Sequence, residues 1–134
     1  DESWSLIVRF TGNPTNIWMD NHYLLGSDSG YNRGFGISGR GYGKLDFRNG
    51  GRYTSGVVAS GIACVAGLNA YLNGNDIGDL SSAEYYYDTG LRFFANYKST
   101  PDIFWPGTIQ AAAVYNDTLT ASQVAALTTA MAAL

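Results

Sequence analysis

The sequence predicts an all-β fold: an antiparallel two-sheet β-sandwich closed by one short C-terminal α-helix. Three observations lead there. Short stretches of period-two hydrophobicity recur along the chain. Clusters of Gly, Asn, Asp and Ser separate them, and the 17 Gly and 10 Tyr among 134 residues suit short strands and tight turns better than helices. Only the last residues show helical spacing behind a cap.

The first strand is 3–10, where Trp4, Leu6, Val8 and Phe10 fall on one side and Ser5, Ile7 and Arg9 on the other. A turn cluster follows at 11–16. Residues 17–19 and 23–25 read as short strands around the polar corner Asp20-Asn21-His22, and 26–33 as a loop. Residues 34–43 are glycine-rich. At 44–48 the alternation returns with Leu45 and Phe47 inward, and Asn49-Gly50-Gly51 is a hairpin turn, since Asn and Gly accept positive φ. Residues 57–66 are an apolar strand region with a break at Gly61. Leu68, Ala70 and Leu72 then alternate with Asn69 and Tyr71 up to the tight turn Asn73-Gly74-Asn75. A polar loop at 79–90 surrounds Tyr85-Tyr86-Tyr87. Strands are expected at 91–96 and 107–115. From Ala121 a helix is expected: Thr120 caps it, Gln123 completes a capping box, and Val124, Leu127 and Met131 form its apolar seam.

Composition bounds the function. A length of 134 residues suits one domain spanning 1–134. The chain opens at Asp1 without Met or a signal peptide, which reads as a mature product or an excerpt of a longer chain. A net charge of −3 provides no long-range field for nucleic acid, and no apolar run approaches the ~20 residues that span a bilayer. Few Lys and abundant Asn, Tyr, Thr and Ser point to an extracellular, cell-surface or virion-surface setting. Cys64 is the only cysteine, and its apolar neighbours make it a buried strand thiol.

Two stretches resemble the laminin G-like family of the concanavalin A-like jelly-roll superfamily. The run Leu68-Asn69-Ala70-Tyr71-Leu72-Asn73-Gly74 is similar to its strand-turn pattern of aliphatic-x-x-Tyr-aliphatic-Asn-Gly. Gly107-Thr108-Ile109, leading through Tyr115-Asn116 to Thr120, is similar to its closing strand and capped helix. With the opening strand, the resemblance covers nearly the whole chain. There are three departures: Gly56 stands where the family has Trp, Gln110-Ala111 replace acidic residues, and the family's earliest strand has no counterpart. The resemblance implies a jelly roll with a binding role: a carbohydrate-binding or adhesion domain, or a structural assembly module such as a phage capsid decoration, tail or fibre domain. It also implies that the strand at 107–115 has an unpaired side unless residues 1–5 or the C-terminal helix covers it: either an upstream segment or another subunit adds a strand there, or the sheet is shorter and the helix blunts its edge.

Gly34-x-Gly36-x-x-Gly39 matches a dinucleotide fingerprint, but Arg40-Gly41-Tyr42-Gly43 cannot open the helix such a site needs. His22 is the only histidine, which leaves no multi-His zinc site. Related sandwich glucanases carry Glu-x-Asp-x-Glu on one strand. No such run exists here, and the only glutamates are Glu2 and Glu84, so a non-catalytic protein is expected. Asp20, Asn21 and Asp28 are the candidate calcium ligands, on the analogy of sites at the family's rim; calcium would be the sole cofactor. The candidate ligand-binding residues are Tyr31, Tyr42, Tyr53, Tyr85, Tyr97 and Trp105, aromatic rings in turn-rich stretches beside amides and carboxylates. Such rings stack on a sugar or anchor a protein interface, and the two partners, glycan and protein, are left open.

Overall fold

The computed structural model describes residues 3–15, 19–28, 34–49, 51–82, 92–93 and 105–134, with 19–21, 27–28, 34, 82 and 92–93 described by backbone alone. In chain order the elements are β1 (Ser5–Thr11), β2 (Met19–Asp28), β3 (Gly34–Gly41), β4 (Lys44–Asn49), β5 (Gly51–Val57), β6 (Gly61–Ala66), β7 (Asn69–Leu72), β8 (Asn75–Asp79), β9 (Ser81–Ser82), β10 (Arg92–Phe93), β11 (Thr108–Tyr115) and α1 (Ala121–Ala132). They build two antiparallel sheets, ordered β11-β1-β6-β7-β8 and β10-β2-β3-β4-β5-β9. The predicted all-β two-sheet sandwich with one C-terminal helix is the observed architecture.

The alternation read in the sequence places the core. Leu6, Val8 and Phe10 of β1 join Ala63, Val65 and Ala70 from the five-stranded sheet, facing Leu25, Ile37, Leu45 and Phe47 of the six-stranded sheet. Ile7, on the side expected to be polar, is fully buried as well. The reason is α1, which lies across the outer face of the five-stranded sheet. There Val124 and Met131 pack with Ile7, Ile62, Cys64, Ala66 and Tyr71, while Leu127 is partly buried against them. Period two identifies two faces of a strand; only the docked helix makes both of them apolar. Trp4, expected inward, is 39 % exposed because it precedes the strand.

The helix begins as its cap dictates. The Thr120 backbone N–H donates to Gln123 Oε1 at 2.8 Å, and the Gln123 N–H donates to Thr120 Oγ1 at 3.4 Å. The turn at Asn73-Gly74 also follows its chemistry, with φ of 51° and 81°. Two expectations are corrected. The corner at Asp20-Asn21-His22 does not interrupt a strand: β2 runs through it. Its pairing with β3 skips from Asp20↔Arg40 to His22↔Gly39, so a bulge absorbs the extra residue. The stretch from Gly26, expected as loop, is likewise strand as far as Asp28. The apolar region at 57–66 divides between the end of β5 and β6, with a turn at 58–60.

Candidate functional site

The six-stranded sheet carries a buried polar network on its outer face. Pairing aligns Tyr23, Ser38, Asp46 and Thr54 in one cross-strand row, with Gly36, Arg48 and Arg52 in the next. Asp46 is 0 % exposed and Arg48 1 %. Thr54 Oγ1 donates to Asp46 Oδ1 at 2.6 Å, while Oδ2 lies 3.1 Å from Arg48 Nη2 and 3.3 Å from Arg52 Nε. Arg48 Nη1 donates to the Tyr23 hydroxyl at 2.7 Å, and its guanidinium stands 5.7 Å from the centre of that ring. Both carboxylate oxygens are thus engaged, which makes Asp46 a brace between strands rather than a free acid or base. Sequence reasoning passed over these residues. The signal was the charged alternation of Lys44, Asp46 and Arg48 beside a hairpin whose register places Arg52 opposite Arg48.

Cys64 is buried beneath α1, and desolvation pushes its thiol up from 9.0 to about 12. Tyr71 is raised as well, first by burial and then by Asp76, Cys64 and Asp79. Folding therefore favours the protonated thiol. The associated stability is fully present below about pH 9, the unfolded value, and is lost as pH rises through about 12. The expected result is no reaction of the native protein with a thiol reagent at neutral pH and full reaction once it is unfolded. Alkaline loss of stability should also be smaller in Cys64→Ala. Rapid labelling of the native protein would contradict this burial.

One pole of the sandwich gathers the more accessible polar groups. The ends of β1, β5 and β7 and the starts of β6 and β11 meet there, beside the C-terminus of α1. They enclose a cleft of about 290 Å³ lined by Arg9, Thr11, Ser60, Asn73, Gln110 and Ala132, with Phe10 and Ile62 beneath. Arg9 Nη1 donates to the Met131 carbonyl at 2.6 Å, so its charge meets the negative end of the helix. Asn73 Oδ1 accepts from the Ile62 N–H at 2.9 Å. Gln110 is the residue skipped in the β1–β11 pairing, and the bulge leaves it exposed at the cleft. Backbone hydrogen bonds tie the neighbouring turns together: Val58 N–H to the Gly43 carbonyl at 2.7 Å and Asn13 N–H to the Ala59 carbonyl at 3.0 Å. Tyr42 (53 % exposed) and Val57 (62 % exposed) stand at this same pole, on the β3–β4 turn and at the end of β5.

The aromatic set expected from the sequence is not assembled on one surface by its described members. Trp105 is buried edge-on against Phe10, with ring centres 5.8 Å apart, and donates to the Thr11 carbonyl at 3.4 Å. Tyr53 packs inside against Phe47, their ring centres 6.3 Å apart. Trp105 is a core residue and Tyr53, partly buried, packs against the core, because their strands or turns direct them between the sheets. Tyr42 alone of the described members presents an exposed ring; Tyr31, Tyr85 and Tyr97 lie outside the described residues. The calcium candidates do not converge either. Asp20 and Asn21 begin the continuous strand β2 and Asp28 ends it, a separation of roughly 25 Å at the usual strand rise. Among the described residues no three His, Cys, Asp or Glu cluster as metal ligands. Nor, among the described residues, is any helix long and apolar enough to cross a membrane.

No family model matches this chain, and no curated protein matches it. The groups at the pole are thus read on their own chemistry. The cleft offers a hydroxyl from Ser60, another from Thr11, amides from Gln110 and Asn73, and an arginine whose charge is already engaged by the helix end. Nearly neutral and rich in donors and acceptors, it suits a neutral polyhydroxylated ligand better than an anion.

Proposed function

We propose that this protein is a non-catalytic binding module that acts outside the cytoplasm and takes a neutral carbohydrate at the pole of its sandwich. The single observation that carries this reading is the cleft, where amide and hydroxyl groups from four different strand ends converge; Tyr42 does not line it but is exposed on the β3–β4 turn at the same pole. Sugar hydroxyls need such paired donors and acceptors, and the apolar face of a pyranose suits the Tyr42 ring. The laminin G-like resemblance supports the same reading.

Binding to a glycan array tests it. Gln110→Ala and Tyr42→Ala change exposed side chains, so both variants should fold, and each should weaken binding by about tenfold, the value of one good polar or stacking contact. Failure to bind any glycan, or binding indifferent to both changes, overturns the proposal.

A second reading, a structural assembly module of a virion such as a capsid decoration, tail or fibre domain, is favoured by a different observation. Among the described residues, β11 ends its sheet with a neighbour on one side only.

A further inference from the structure

We propose that the edge of β11, unpaired among the described residues, pairs antiparallel with β11 of a second copy, joining two five-stranded sheets into one across a two-fold axis at Ala113. This does not depend on the glycan reading.

The strand itself supports this. Thr108–Tyr115 is eight residues long and carries neither charge nor proline, the features that usually blunt an edge. The opposite edge of the same sheet, β8, is shorter and carries Asp76 and Asp79. Two copies meeting there would set like charges against each other; at β11 nothing repels. The edge also leaves core side chains incompletely covered. Ile109, Ala112 and Val114 pack against the inter-sheet core and yet remain only partly buried. Added pairing would cover them and satisfy the outward-facing N–H and C=O groups of β11.

A second copy fits because the strand is self-complementary in size. The bulge at Gln110 limits regular pairing to 111–115. Centring an antiparallel pair on Ala113 sets Val114 opposite Ala112 and Tyr115 opposite Ala111, large against small on each face. A two-fold axis requires this kind of match, since every residue meets its mirror in the register. Centring on Ala112 instead would bring the bulged Gln110 opposite Val114 and lose the match.

The full chain with Cys64→Ala supplies a clean background for a cross-linking test. In that background Ala113→Cys should oxidise to a covalent dimer, because residues directly opposite across an antiparallel pair lie about 4.5–5.5 Å apart at Cα, within disulfide range. Ala111→Cys and Tyr115→Cys should each remain monomeric alone and cross-link when mixed. Sedimentation of the unmodified chain should give twice the chain mass at high micromolar concentration. Tyr115→Lys, which adds a like charge on both sides of the axis, should return it to monomer with an unchanged circular dichroism spectrum. If Tyr115→Lys unfolds the chain, the cysteine pattern decides alone. A monomer at every concentration overturns the proposal, as does cross-linking that ignores register. So does an edge filled only when another polypeptide is supplied.

Discussion

Replacing Asp46 by Ala should cost about 3–5 kcal/mol of folding stability, read from the urea midpoint at unchanged slope. Removing the carboxylate takes from the Arg48 guanidinium, 1 % exposed, an ion-pair partner 3.1 Å away in a buried site. Arg52 and Thr54 lose their shared acceptor as well. The cost includes the desolvation of a buried charge that has lost this partner, so Asp46→Ala combined with Arg48→Met should recover part of the loss. A loss below about 1 kcal/mol would show that water reaches Arg48 and that the network is not desolvated.

Gly36→Ala should be comparably damaging, costing about 3 kcal/mol or more through combined backbone strain and overpacking. Gly36 has φ of 151°, and a Cβ there would stand 2.5 Å from the Leu25 carbonyl oxygen and 2.7 Å from the Gly26 Cα. Gly26 and Gly36 face each other across β2 and β3, so two backbones approach where any side chain would part them. The same row continues to Arg48, and two residues without side chains leave it room to reach Tyr23. Gly56→Ala is the control. A Cβ there meets nothing within 4 Å, and the substitution should be neutral or stabilise by up to about 1 kcal/mol through the unfolded chain. Equal tolerance at both positions would mean that the close approach of β2 and β3 is not required.

The two substitutions also separate what was legible in the sequence from what was not. The glycine-rich segment at 34–43 resolved as a hairpin because a helix could not start at Arg40-Gly41-Tyr42-Gly43. Nothing in the run itself said which glycine had to be one. That depends on Gly26, ten residues earlier, arriving opposite Gly36 after two bulges in β2. Likewise Leu45 and Phe47 were legible as inward residues, which assigned Asp46 and Arg48 to the other face. Whether that face was wet or dry was not a property of residues 44–48.

The candidate site followed the same division. Tyr53 and Trp105 have the neighbours of surface aromatics in the sequence and the surroundings of core residues in space, since turn-rich composition does not encode the direction of a ring. Arg9 and Gln110 carried no sequence signal for a shared cleft. They are separated by a hundred residues of chain and meet because β1 and β11 pair, with a bulge that turns Gln110 out.

By itself the sequence determined what short-range chemistry can dictate. The period of two in β1 and β4, the positive φ of Asn73 and Gly74 and the Thr120–Gln123 cap each depend on residues within a few positions of one another. The all-β class followed from their recurrence. Only the tertiary structure decided that Ile7 is core, that the helix is what covers Cys64, and that Asp46 is buried with two arginines. Each of these depends on which distant segment packs alongside, and a local pattern records the face a side chain takes but not what that face will meet.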